Sequence, residues 1–328
     1  MDTLTLKQLL RTSSRTFAIG IERLPKRLNQ PMTTAYLLLR VSDYLEDNVE
    51  MPAAQKVDLL NKWEQVLEGK LPLHELNRQL TFPDQPTPDA VVALNVDKVY
   101  ASLQSLPSEV RGPIIKHVGD STRGMARWVA RGPDVQNEND MDDYMHEVAG
   151  RVGYLVTEIF AWYSHFIRSN LVQLIPLARE CGLALQTVNI IRGLRDDFER
   201  GWIFIPESFC EEAGLPREAL FDPAHRDQAM VVIDRLANKA DRHLENAKTY
   251  YKALPPWQHA IRLSCLYPLL FAARTLAISR HNHQVLFSNA KMTREEVVSI
   301  VKKSTLFGWS NWWVERYFDQ LHFANLRV

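Results

Sequence analysis

Residues 189–206 read NIIRGLRDDFERGWIFIP, which begins like the end of a buried helix, turns to mixed charge and runs into a bulky apolar strip. At about 100° per residue, Asn189, Gly193, Asp196, Asp197 and Arg200 fall on one broad side of a helix, with Arg192 at its border. An amide, carboxylates and guanidinium groups then share one wall. That set fits a cation held by carboxylate and amide oxygens, beside a phosphate gripped bidentately by arginine. A helix end studded with Asp–Arg pairs is the plainer account.

On either side of this stretch, long windows with apolar residues at helical spacing dominate the chain. The 13 glycines form neither a GxGxxG nor a P-loop cluster, and alternating β-branched runs are scarce. The fold class expected is all-α, with one helical domain over 1–328. Prolines punctuate the windows: Pro25 and Pro31 precede a helix near 32–48, Pro52 opens another, and Pro83, Pro86 and Pro88 mark a loop. Further helices are expected over 89–105, 108–131, 138–168, 172–200, 224–253, 257–281 and 293–320.

A second acidic helix lies in AYLLLRVSDYLEDNVE, where Asp43 and Asp47 point the same way, with Tyr36 and Arg40 near that face. Like charges at this spacing repel by a few tenths of a kcal/mol, so a bridging cation would relieve the pair. Magnesium suits this role, since it takes one or two carboxylates and completes its shell with water and substrate phosphates. A solvated helix end, continuing through Glu46 and Glu50, is the alternative.

The chain has 328 residues, 46% hydrophobic and 24% charged, as expected of a folded protein with a large core. Its 39 basic and 39 acidic residues balance, so no long-range field draws nucleic acid, and a small-molecule partner is expected. Cys181, Cys210 and Cys265 are too few and scattered for a disulfide framework or a zinc site, which points to a cytoplasmic compartment. No signal-type segment opens the chain, and no run of 18 uncharged apolar residues suggests a transmembrane anchor.

Taken together, these motifs resemble the squalene and phytoene synthase family of class I isoprenoid synthases. SSRTFAIGIERLP is similar to its Ser-Arg-Ser-Phe region, and LLLRVSDYLED to its first aspartate motif. DDYMHEVAGRVGYLVTEIF resembles its Tyr-x-His-x-Val-Ala-Gly-x-Val-Gly helix, and LQTVNIIRGLRDDFERGWIFIP its second aspartate motif. Squalene synthases are the nearer relatives, because CLYPLLFAARTLAISRHNHQVLFSNAKMTREEV resembles their segment linked to NADPH use.

The resemblance implies that two farnesyl diphosphates, or geranylgeranyl diphosphates, bind between the two acidic helices. They condense through presqualene diphosphate to squalene, with Mg2+ or Mn2+ and with NADPH as reductant. Without hydride the product would be a dehydrosqualene. It assigns Asp43, Asp47, Asn189, Asp196 and Asp197 to metal, and Arg15, Arg40, Arg192 and Arg200 to diphosphate. Tyr144, together with Arg40, is assigned to catalysis, and Lys291 and Arg294 to the cofactor.

The chain departs from the family pattern at Gly193, where an aspartate is expected, at Trp202, where an arginine is expected, and at Thr293, again in place of an arginine. Asp196 reaching into the gap, or water replacing the missing side chain, would each retain a metal site. The rivals are a synthase of one half-reaction, a terpene cyclase-like lyase and a non-enzymatic relative.

In AGRVG, glycines within a helix cost up to about 1 kcal/mol each, so close packing or a substrate channel is expected there. No second histidine or cysteine stands at metal-ligand spacing from His146, which reads as structural. Trp309, Trp312, Trp313 and Phe318 read as core, or as an aromatic edge for peripheral membrane contact. The C-terminal membrane anchor of the eukaryotic relatives is expected to be missing.

Overall fold

A computed structural model describes residues 4–323, apart from the side chain of Arg15. The described residues are helical, with no strand among them. The chain divides into two compact units, Met1–Gly132 with Arg151–Ile175, and Pro133–Gly150 with Pro176–Val328.

Unit 1 contains α1 (Leu6–Ser13), α2 (Arg15–Ile21), α3 (Lys26–Asp47), α4 (Ala53–Leu67), α5 (Leu73–Asn77), α6 (Pro88–Ala93), α7 (Val96–Ser105) and α8 (Ser108–Arg131). Unit 2 opens with α9 (Glu138–Met145) and a π-helical turn, His146–Gly150. The chain returns to unit 1 for α10 (Arg151–Tyr163) and α11 (His165–Ser169). Most of α12 (Leu171–Glu199) belongs to unit 2, with α13 (Glu207–Glu212), α14 (Arg226–Ala253), α15 (His259–Ser279), α16 (Arg294–Phe307) and α17 (Asn311–His322).

Proline shapes the starts. Helices α3, α4, α5, α8 and α13 each begin directly after one, where the missing N–H costs nothing. Helix α3 starts six residues earlier than the expected 32, and Pro31 lies inside it. There the ring forfeits only the bond to the Arg27 carbonyl, near the helix start. The windows 89–105, 138–168 and 293–320 are each interrupted, at 94–95, by the π turn and at 308–310 respectively. Apolar periodicity runs through such breaks and does not reveal them.

In unit 1, α3 is buried on most sides and packs against α1, α4, α6, α7, α8 and α10. Buried hydroxyls fix it: Ser42 Oγ lies 2.7 Å from Thr122 Oγ1 and accepts from Trp63 Nε1 at 3.2 Å, while Thr34 and Ser102 pair at 2.7 Å. These contacts set the rotation of α3, hence the direction of its acidic face.

In unit 2, α14, α16 and α17 pack on the apolar α15. That helix is long and apolar enough to cross a membrane, yet 78% of its most apolar stretch is buried in the fold. Helix α9 is tied to α14 by buried Lys239, whose Nζ lies 2.8 Å from Glu138 Oε1 and 2.6 Å from Asp142 Oδ1.

Helix α12 passes the π turn at Gly182, where a Cβ would lie 2.2 Å from the Ala149 carbonyl oxygen. Close packing therefore accounts for this glycine, and for Gly150, whose Cβ would meet His146 Nδ1 at 2.7 Å. His146 Nδ1 itself accepts from Arg179 Nε at 3.2 Å. Gly182→Ala is expected to destabilise the protein by about 1–3 kcal/mol or prevent folding. Gly119→Ala in α8, where the new Cβ would meet Glu64 Cγ at 3.9 Å, is expected to be neutral or stabilising. Thermal melts of the two variants check this.

Candidate active site

The first acidic helix end carries a compact charge cluster. Arg40 Nη1 lies 2.9 Å from Asp43 Oδ2 and 3.8 Å from Asp89 Oδ1. The guanidinium sits over the Tyr36 ring at 4.9 Å, and Tyr36 in turn packs against Phe17 at 5.8 Å. Asp47 is exposed one turn beyond Asp43. The side chain of Arg15 lies outside the described residues, so its expected phosphate role stays an expectation; its neighbour Ser14 caps α2 by accepting from the Phe17 N–H.

Asp89 is the residue that sequence reading misses. It stands in the first turn of α6, started by the Thr87 cap, and α6 packs directly on α3. The only local signal is the TPD start of a helix; contact with Arg40 requires the tertiary fold.

The cluster is electrostatically unfinished. Burial pushes the Asp43 carboxyl up to about 7, against the pull of Arg40 and with help from Asp89 and Asp47. Burial raises Asp89 too, again opposed by Arg40. Burial would lower Arg40, but Asp43, Tyr36 and Asp89 outweigh it and hold the guanidinium firmly charged. Tyr36 Oη and Arg40 Nε are buried and make no hydrogen bond of full geometry among the described residues, with Ser14 near the first and Tyr36 near the guanidinium as their only weak polar neighbours of that kind. Buried donors of this kind call for an acceptor, and crowded carboxylates call for a cation.

Among the described residues no group of three or more His, Cys, Asp or Glu side chains is placed to cage a metal alone. Magnesium does not need that cage, since one or two carboxylates suffice when substrate phosphates complete the shell. Asp43 and Asp47, with the two unsatisfied donors nearby, therefore fit a magnesium–diphosphate pair.

The second acidic helix end is different. Asn189 and Arg192 are exposed on α12, whereas Asp197 pairs with Arg200 one turn on. Asp196 Oδ2 accepts from Asn289 Nδ2 at 2.7 Å, and Arg195 pairs with Glu199 at 2.7 Å. At Gly193 there is no side chain; a Cβ there would have Asp197 Oδ2 as its nearest neighbour, at 3.6 Å. Gly201, at φ +83°, ends the helix, and the Trp202 N–H closes back on the Asp197 carbonyl at 2.9 Å.

Beyond that stop, Trp202 stacks on Phe204 at 5.3 Å, and Phe204 on Tyr144 at 4.5 Å. Trp202 therefore belongs to an aromatic ladder running to Tyr144. Lys291 and Arg294 are exposed beside the start of α16. Thr293 between them is the helix cap: its Oγ1 accepts from Glu296 N at 3.1 Å, and Glu296 Oε2 accepts from Thr293 N at 2.8 Å. The capping box T-x-x-E was legible in the sequence and accounts for threonine at this position.

The family model for squalene/phytoene synthase matches residues 10–296. The chain belongs to that family. Among curated relatives, the squalene synthase of Schizosaccharomyces pombe is 29% identical over 308 residues, covering 90% of this chain and 64% of that protein. The chain thus spans just under two thirds of that relative's length.

Among solved structures, a TcSQS complex with the ligand BPH1237 superposes with a TM-score of 0.83 at 22% identity, covering 98% of this chain and 91% of the other. A dehydrosqualene synthase in complex with ligand gives 0.66 at 20% identity, covering 96% and 95%. These likenesses show the all-α fold of this family.

The raised carboxyl of Asp43 gives a prediction with a definite sign. Between the ordinary value of 3.8 and about 7, the folded chain holds a proton that the unfolded chain has released. This contribution to stability is full below the lower value and is lost as pH rises through the upper one. Without divalent cations, Asp43→Asn is expected to melt above the parent at pH 8, by about 2–4 °C per kcal/mol relieved, by less at pH 5, and with it only below the ordinary carboxylate value of 3.8. Magnesium with inorganic diphosphate is expected to raise the parent's melting temperature and not the variant's. Equal, pH-independent melting of both proteins would remove the cation role.

Proposed function

We propose that this chain is a head-to-head prenyl-diphosphate synthase that condenses two farnesyl diphosphates by way of presqualene diphosphate. The observation that carries this reading is the cluster around Arg40. A half-buried guanidinium between Asp43 and Asp89, with unsatisfied donors at Tyr36 Oη and Arg40 Nε, supports the reading of an oxyanion received beside a cation.

Bound magnesium would supply Lewis-acid and electrostatic stabilisation to the departing pyrophosphate, with Asp43 and Asp47 holding it. The chain's own donors do the rest at that end. Arg40 and Tyr36 hydrogen-bond the leaving group as the allylic C–O bond breaks and its electron pair departs with the pyrophosphate. The second molecule's double bond then adds to the allylic carbon, and loss of a proton closes the cyclopropane. The Tyr144 hydroxyl is the proposed carrier of that proton. Trp202, half-buried at the outer end of the stack on Phe204, is the proposed π surface for positive charge.

A second reading, a synthase that stops at presqualene diphosphate, is favoured by the other helix. There Gly193 supplies no ligand, Asp197 is engaged by Arg200 and Asp196 by Asn289. Asn189, Arg192 and Arg200 remain the proposed partners of a diphosphate at that end. For NADPH the described residues offer exposed Lys291 and Arg294, with Asn289 Oδ1 the nearby buried acceptor that lacks a hydrogen-bond partner. They do not fit the cofactor well enough to derive a hydride step.

Purified protein incubated with farnesyl diphosphate and magnesium, with and without NADPH, separates the readings by mass spectrometry. Presqualene diphosphate as the end product supports the half-reaction; squalene only with NADPH supports the full one. A C15 hydrocarbon would indicate a cyclase, and no turnover of farnesyl or geranylgeranyl diphosphate a non-enzymatic protein.

Asp43→Asn and Asp47→Asn are expected to abolish turnover with the fold intact, and Asp89→Asn to lower it by about ten- to a hundredfold. Gly193→Asp is expected to increase conversion of presqualene diphosphate to C30 hydrocarbon. Near-normal activity in both Asp43→Asn and Asp47→Asn would sink the assignment.

A further inference from the structure

The turn between α16 and α17 exposes more apolar surface than a helix junction needs. Leu306 is 65% exposed, Phe307 46%, Trp309 57% and Trp312 65%. Trp257, 70% exposed, is in the loop before α15, which His259 Nε2 ties to the Thr305 carbonyl at 2.9 Å. Large side chains at this exposure incur the hydration cost of apolar surface, and a contiguous group of them marks a contact site.

The turn beneath them is rigid. Fully buried Arg262 donates to Asn311 Oδ1 at 2.5 Å and to the Leu254 carbonyl at 2.7 Å. Tyr251 Oη donates to the Gly308 carbonyl, and a Cβ on Gly308 would lie 2.8 Å from Leu266 Cδ2. The aromatic side chains are therefore held outward by a clamped backbone, so ordering them on contact loses little entropy.

Charge identifies the partner. Residues 302–316 carry Lys302, Lys303 and Arg316 against one acid, Glu315, whose Oε1 is already 2.5 Å from Lys252 Nζ. Two of the cations lie against aromatic rings at the edge of the patch: Arg316 5.0 Å from Trp312 and Lys303 5.2 Å from Tyr317. Tryptophan favours the bilayer interface, and lysine or arginine beside it favours anionic headgroups. A symmetric contact with a second copy would bring two copies of this basic patch together, which disfavours it.

We infer that the α16–α17 turn docks this protein onto an anionic lipid surface, with Trp309 and Trp312 entering the interface and Lys302, Lys303 and Arg316 meeting the headgroups. This stands on geometry separate from the acidic helix ends, and holds whatever the product is.

The test is co-sedimentation of the full chain with vesicles of phosphatidylcholine, with and without phosphatidylglycerol. Binding is expected to the anionic vesicles, falling with added salt. It is expected to drop roughly tenfold or more in Trp309→Ser/Trp312→Ser and in Lys302→Gln/Lys303→Gln/Arg316→Gln. Both variants should melt like the parent, because the changed side chains are exposed. Quenching of tryptophan fluorescence by brominated lipid should follow the same order. Failure to bind anionic vesicles, or equal binding by parent and variants, overturns the inference. So does a parent dimer in analytical ultracentrifugation that the tryptophan variant dissolves, because the patch would then be a contact between copies.

Discussion

The approach of Gly182 to the Ala149 carbonyl governs unit 2, because the two helices that carry its proposed site residues are packed by it. Any Cβ at Gly182 would sit 2.2 Å from that oxygen, so α12 touches the π turn backbone to backbone. A π turn inserts one residue into the helical phase and rotates the residues after it by about 100°. Tyr144 stands just before this rephasing, on a helix anchored through Lys239 to α14. Asn189, Arg192 and Asp197 stand on α12 itself, beyond the crossing. Phe204 then joins the two segments from outside by stacking on Tyr144.

The two acidic helix ends look alike in sequence and differ in electrostatic state. On α3, one guanidinium faces two half-buried carboxylates, and one of these is pushed up to about 7. This arrangement stores unfavourable interaction that a bound cation and oxyanion would relieve, which is how a site is prepared before its ligand arrives. On α12, each acid has a protein partner at hand: Arg200 for Asp197, Asn289 for Asp196 and Arg195 for Glu199. A ligand there must displace bonds already made. The same residue types thus leave unrelieved charge at one end and protein-paired charge at the other, and the proposed diphosphate roles rest on that contrast.

Sequence periodicity located most helices because the core is built from helix faces. The window 108–131 coincides with α8, and 172–200 nearly with α12. The breaks inside longer windows escaped because a π turn or a short cap leaves the apolar pattern almost intact. Spacing along a helix also made Arg40, Asp43 and Asp47 recognisable as neighbours, since i, i+3 and i+4 positions share a face whatever the tertiary fold. Asp89 and Asn289 were invisible for the complementary reason. Each reaches its partner from a distant segment, and no local rule encodes that meeting.

Gly193 stands apart from the other glycines of these helices. Gly182 and Gly150 are required by steric contact, since a Cβ at either position would collide with its neighbours. Gly193 is under no such requirement: it is helical, its φ is not positive, and a Cβ would find Asp197 Oδ2 at an ordinary 3.6 Å. Glycine there costs helix stability of up to about 1 kcal/mol relative to alanine, with no packing return. Its place on the acidic face of α12, one turn before Asp197, leaves the chemistry of that face as the remaining reason for it. Trp202 changes in the same direction, replacing a cation with a stacked ring beside Phe204. Both departures reduce charge at the second helix end and leave the cluster around Arg40 intact.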